Sequence, residues 1–193
     1  MKTYLTILFY FFYLFSFSQC FNSGGIGDFE GDDPLNKFVT GTQSNGTIEL
    51  TSEDKYTGNK CLKANVSVAG VWQVRIFNTG ACYFDMTSGE SYTVSFYAKG
   101  EIGDAINVSI MSNTTVDKNE DIVISSSSWR LYTTTFEASV NSSVGRIKLI
   151  FKDQGTYYVD DIQLNGLDCN SDFGGSASID NCGICSGGNT SIA

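Results

Sequence analysis

The chain contains no histidine in its 193 residues. Without an imidazole there can be no Ser-His-Asp triad, no His-bearing zinc site, and no side chain that titrates near neutrality at its ordinary pKa. Proline occurs once, at Pro34, in a loop before the first strands. Positive charge is scarce: 12 Lys and Arg face 21 Asp and Glu, a net charge of -9. That balance argues against nucleic acid, whose phosphates need clustered cations, and reads as solubility. The catalytic motifs with a fixed spacing are missing too: no Gly-x-Ser-x-Gly elbow, no His-Glu-x-x-His and no phosphate loop. Asp117-x-Asn119-x-Asp121 begins like a calcium loop, but Ile122 and Ser128 stand where that loop needs glycine and glutamate. Two carboxylates suffice for a glycosidase, so residue types alone do not exclude hydrolysis.

Long apolar runs are also missing, apart from residues 4–17, which are fewer than the roughly 20 needed to span a bilayer. With Lys2 ahead of this block and the small-x-small pair Ser16 and Ser18 behind it, residues 1–19 read as a secretory signal peptide, with no membrane span. The mature chain is then secreted and extracellular. A lipid anchor on Cys20 is the rival reading, but the residues before that cysteine fit it poorly. In an exported chain the six cysteines suggest disulfides, with 15 possible pairings.

From residue 38 to 164, short runs of β-branched and aromatic residues alternate with polar ones and are separated by Gly, Asn, Asp and Ser clusters. This pattern predicts an all-β sandwich, with strands over 47–51, 61–68, 72–77, 91–99, 105–111, 129–137, 146–151 and 156–164. Alternation assigns Ile147, Leu149 and Phe151 to the core and Arg146, Lys148 and Ile150 to the other side. The domain is expected over 20–165. Residues 166–193, rich in Gly, Ser, Asn, Asp and Cys, form a tail or linker without a core of its own. This tail resembles the Cys/Gly/Asp-rich linker repeats between modules of secreted polysaccharide-degrading proteins.

Six short motifs carry a second resemblance: Gly27-Asp28-Phe29-Glu30, Thr57-Gly58-Asn59-Lys60, Trp72-Gln73-Val74-Arg75-Ile76, the run from Gly89 to Lys99, Trp129 with Tyr132 and Phe136, and Tyr157-Tyr158-Val159-Asp160-Asp161-Ile162. Their order is similar to that in carbohydrate-binding modules of families four and nine, over about residues 24–164. The resemblance implies a jelly-roll β-sandwich of two antiparallel sheets, a structural calcium ion, and a concave sheet face. It further implies that this face binds a polysaccharide or oligosaccharide without catalysis, on behalf of a glycoside hydrolase or lyase partner. Trp72, Arg75, Asn113, Arg146 and Ile150 fall where similar modules place ligand contacts, and Gln73, Tyr97, Met111 and Lys148 complete the expected face. A non-catalytic adhesion or spacer domain is the alternative, and a small hydrolase the third choice.

Calcium is expected on Glu30 and Asp160, with main-chain oxygens of Asp28, Gly58 and Lys60, because Asp160 and Asp161 interrupt the apolar alternation of the last strand. Cys61 and Cys82, both in strand-like segments away from the tail, are expected to pair. Arg75, Arg146 and Lys148 share the outward phase of their strands, which suggests an anionic glycan.

Overall fold

A chain whose apolar residues recur every second position must hide one face of each strand, and two sheets packed face to face achieve this. The structure is a computed structural model and describes residues 21, 26–30, 34–42, 45–70, 74–166, 178–179 and 185–186. In chain order the strands are β1 (Phe38–Gly41), β2 (Gly46–Thr51), β3 (Cys61–Val66), β4 (Arg75–Asn78), β5 (Phe84–Met86), β6 (Ser91–Lys99), β7 (Ala105–Ser112), β8 (Thr115–Val123), β9 (Arg130–Glu137), β10 (Ser142–Phe151) and β11 (Gly155–Gly166). A two-residue pair, Ser178–Ile179 with Cys185–Ser186, lies in the tail. Among the described residues there is no α-helix, only short 3-10 turns.

One sheet runs β1-β4-β10-β7-β8, with β5 also pairing on β10, and the other runs β2-β3-β11-β6-β9. The pairs are antiparallel throughout. This is the expected all-β sandwich of two antiparallel sheets. Its core holds Ile106, Val108 and Ile110 of β7 and Ile147, Leu149 and Phe151 of β10, facing Tyr92, Val94 and Phe96 of β6 and Tyr157 and Val159 of β11. Burying one such side chain contributes about 1.5–3 kcal/mol. Phe21 and Phe29 are fully buried and join Phe38 and Phe84 through ring contacts of 5.9–6.3 Å, so the N-terminal segment belongs to the same core.

Three strands go beyond the sequence expectation. β1 and β5 have only four and three residues, too few for a period to register. β8 reads Thr-Val-Asp-Lys-Asn-Glu-Asp-Ile-Val, and its charges suit an edge strand that must not pair with another chain.

The expected Cys61–Cys82 disulfide is not formed. Cys61 opens β3 as a free, buried thiol and donates to the Asp54 carbonyl at 2.8 Å. Burial, then the charges of Asp160 and Asp54, push its pKa up to about 12. Cys82 ends the 3-10 turn Gly80–Cys82 between β4 and β5 and is disulfide-bonded to a cysteine other than Cys61. Cys61 lies in the β2-β3-β11-β6-β9 sheet, whereas Cys82 lies in a turn between two strands of the other sheet, a relation that strand-like composition does not encode.

A buried oxygen marks one weak point. Among the described residues Asp104 Oδ2 has no hydrogen-bond partner, and burial, then the charges of Asp153 and Glu101, raise its pKa. A carboxyl raised in the fold contributes stability below its unfolded pKa and loses it as the pH rises through the folded value. Asp104→Asn is therefore expected to raise Tm at neutral pH. The gain should disappear near about pH 3, where the wild-type carboxyl is also neutral. Thermal melts at both pH values check this.

Candidate functional site

β10 lies between β4 and β7, so its outward side chains form the centre of one sheet face. Register places Met111 of β7 beside Arg146. One step along, Lys148 has Phe77 of β4 on one side and Ser109 of β7 on the other. A further step places Ile150 between Arg75 and Asn107. Side chains two apart on a strand are separated by about 6.8 Å. Each rung thus offers one cation and one apolar side chain. Arg75, Phe77, Met111, Arg146 and Lys148 line a shallow pocket of about 210 Å³.

The electrostatics of this pocket are set by burial among like charges. Lys148 has its pKa lowered, first by burial and then by the charge of Arg75, and burial alone lowers that of Arg75. Arg146 is anchored by Tyr83, whose hydroxyl accepts from Nη2 at 2.8 Å and whose ring centroid lies 4.9 Å from the guanidinium carbon. Arg146 Nε is buried without a hydrogen-bond partner among the described residues. Two carboxylates share this side of the sheet among the described residues: Asp85 on β5 and Asp121 on β8. Asp121 is held by Asn107 at 2.7 Å and Lys152 at 2.6 Å. Among the described residues, no ion pair reaches Arg146 or Lys148.

Five of the expected face residues, Arg75, Met111, Arg146, Lys148 and Ile150, come together here. Trp72 and Gln73 lie outside the described residues. Asn113 is exposed in the β7–β8 turn with φ of 55°, past Met111 at the end of the face, where its backbone serves the reversal. Tyr97 is a correction, because it sits on β6 in the other sheet. Outward phase was read properly, but phase does not say which sheet carries the strand. Tyr97 stacks on Tyr56 at 3.5 Å, with Trp129 6.1 Å from Tyr56 and Lys99 over the rings of Trp129 and Tyr158 at 5.6 and 4.8 Å. With the Lys99–Asp54 ion pair, this cluster clamps the loop of residues 52–60 onto the sheet. Alternation along β7 already turns Asn107 and Ser109 outward with Met111, and the sequence reading missed Phe77 and Tyr83 as face residues. Phe77 was findable, since it shares the outward phase of Arg75.

The candidate calcium ligands gather around that same loop. Glu30 Oε1 accepts from the backbone N–H groups of Asn59 at 2.6 Å and Lys60 at 2.8 Å. Gly58 has φ of +56°, and a Cβ there would land on the Glu30 carboxylate. Asp160 is fully buried, and its carboxylate accepts from the N–H groups of Tyr56, Thr57 and Asp161 at 3.0, 3.1 and 2.8 Å. Burial pushes the pKa of Asp160 up to about 6 against these hydrogen bonds. The Asp28 carboxylate accepts from the N–H of Glu30 at 3.2 Å, which leaves its main-chain oxygen as the expected donor, and Asp161 turns to Gln163. A bulge between Asp160 and Gln163, with Asp161 at φ of 50°, lets the last strand take two consecutive aspartates. No group of three or more Asp, Glu, Cys or His gathers as a metal site among the described residues. The fit to calcium is in donor type: two carboxylates and loop carbonyls are all oxygens, and a buried anion met only by N–H dipoles has room for a cation's charge.

The family model for the carbohydrate binding domain matches residues 26–156. The chain belongs to that family. The carbohydrate-binding domain also has structural relatives. A structure described as "CBM4 structure and function" is 20% identical, with a TM-score of 0.52, over 70% of this chain and 98% of that one. The xylanase 10B of Clostridium thermocellum, crystallised as CBM22-1 and GH10 modules with xylohexaose, is 13% identical with a TM-score of 0.52, over 72% of this chain and 27% of that one. A Stig cyclase, Fisc of Fischerella sp. TAU, in complex with an indole compound, is 15% identical with a TM-score of 0.53, over 70% and 86%. At these identities the likeness shows the fold of the carbohydrate-binding domain alone, a fold that also serves a cyclase. No curated protein matches the chain.

Proposed function

We propose that this carbohydrate-binding domain is a secreted, non-catalytic module that holds a polysaccharide along the outer face of the β1-β4-β10-β7-β8 sheet, on behalf of a glycoside hydrolase or lyase. The observation that carries this reading is the shallow pocket in which Phe77 and Met111 lie between Arg75, Arg146 and Lys148. An aromatic or thioether surface receives the C–H face of a sugar ring, while guanidinium and ammonium groups donate to its oxygens. Export is supported by the signal-like residues 1–19. A lining of three cations, an aromatic ring and a thioether is suited to holding and orienting a chain.

Affinity electrophoresis in gels containing different polysaccharides tests the reading. Retardation by at least one polymer is expected, weakened about five- to tenfold in apparent affinity by Phe77→Ala, on the scale of one lost stacking contact of about 1 kcal/mol or more. Free migration in every gel would contradict it.

Calcium is part of the same proposal. Glu30 and Asp160, with carbonyls of the loop of residues 56–60, would hold the ion, whose charge would tie that loop to the N-terminal segment and to β11. At a tenfold excess over Kd the ion would add about 1.4 kcal/mol. Removing it with a chelator is expected to lower Tm by a few degrees, reversibly on adding calcium. An unchanged Tm would remove calcium from the account and leave glycan binding intact.

A further inference from the structure

The pocket is positively charged inside a molecule of net charge -9, and the charge is not neutralised locally at two of its three cations. Lys148 and Arg146 make no ion pair among the described residues, Asp121 is occupied by Asn107 and Lys152, and Asp85 lies at the β5 edge outside ion-pair distance. Arg75 adds its charge next to Lys148. A protein gains nothing in stability by placing cations in mutual repulsion on a half-buried face, and the rungs alternate them with Met111, Phe77 and Ile150.

We propose that this face selects an anionic polysaccharide, one that bears carboxylates or sulfates, over neutral glucan or xylan. Lys148 and Arg146 receive the anionic groups while Phe77 and Met111 carry the ring faces. The proposal rests on the glycan-binding reading above and narrows it to one substrate class. A neutral chain offers Lys148 only hydroxyl oxygens, whose hydrogen bonds to an ammonium are weaker than those of a carboxylate or sulfate. The spacing fits a repeating ligand, since Arg146 and Lys148 are separated by about 6.8 Å along one strand. Non-specific attraction works in the opposite direction, because an acidic protein is repelled by a polyanion. Binding to one therefore requires a local cationic site.

The test measures binding of the full chain to a neutral β-glucan, a neutral xylan, a polyuronate and a sulfated galactan. It is run at about 0.01 and 1 M salt, where the Debye length falls from about 30 to about 3 Å. The expected result is binding to the polyuronate, the sulfated galactan or both that is roughly tenfold or more tighter than to either neutral polymer, with most of that difference lost at high salt. Which anionic polymer binds identifies the acidic group. Lys148→Glu is expected to abolish the anionic preference. Lys148→Gln should lose roughly five- to tenfold towards the anionic polymer, and Lys148→Arg should restore it. Both non-charged and charge-reversed variants should melt no lower than wild type, because the cation is already disfavoured by burial and by Arg75. Equal or tighter binding to neutral polymers that ignores salt and survives Lys148→Glu would overturn the anionic proposal and leave the glycan-binding reading standing. Binding to no polymer at all would overturn both.

Discussion

Replacing Asp160 with alanine is expected to destabilise the domain by about 2–4 kcal/mol, because three backbone N–H groups lose their acceptor at once. For a domain of this size that corresponds to a fall in Tm of roughly 6–12 °C. The residue has no exposed surface, and it gathers Tyr56, Thr57 and Asp161 from two separate parts of the chain. Asp160→Asn keeps one acceptor oxygen but turns an NH2 group towards backbone N–H donors that the second oxygen now receives, and should fall between alanine and wild type. The comparison also separates roles. If the carboxylate serves only as an acceptor for N–H groups, chelation changes neither protein. If it also holds calcium, chelation lowers the wild-type Tm and leaves Asp160→Ala unmoved. A variant that melts with wild type would contradict the packing described for β11.

The second large effect is expected from a single methyl group. A Cβ at Gly27 would land on the Ile162 carbonyl oxygen, a backbone atom of β11 that cannot rotate away. Gly27→Ala must therefore lift the 3-10 turn Ile26–Asp28 off that strand, and with it Phe29, which is fully buried at φ of 57°. The expected loss is about 3 kcal/mol or more, the range of overpacked cores and lost core aromatics. Glu30 follows Phe29, so its hydrogen bonds to Asn59 and Lys60 should loosen too. Gly80→Ala is the internal control, because a Cβ there meets only the Tyr83 ring at 3.6 Å. Urea melts of the three proteins decide the matter, and equal midpoints would contradict the close approach.

The sandwich was legible because β6, β7, β10 and β11 are long enough for period-two alternation to declare itself, and their core residues fall on the expected phase. β8 was not, since an edge strand with Asp117, Lys118, Asn119, Glu120 and Asp121 carries charge on both phases. At the face, alternation along β10 and β4 brought Arg75, Arg146 and Lys148 to one side. The same reasoning misassigned Tyr97, because sheet membership is a long-range pairing that no local period contains. The Cys61–Cys82 expectation failed on a long-range relation too, since Cys82 lies in a turn between two strands of the sheet opposite Cys61. Tyr83 escaped notice because its role, receiving Arg146, depends on β5 lying beside the start of β10. Asp160 was found from the opposite kind of evidence, a charge where the alternation called for an apolar residue.

The most direct test of the central claim is amide and side-chain NMR shift mapping while a retained polysaccharide, cut to soluble oligosaccharides, is titrated in. The predicted result is saturable shifts at Arg75, Phe77, Met111, Arg146, Lys148 and Ile150 on the β4-β10-β7 face, with Tyr97, Lys99 and Tyr158 on the other sheet unmoved. Shifts confined to the Tyr56, Tyr97, Trp129 and Tyr158 cluster, or none at saturating ligand, would contradict it.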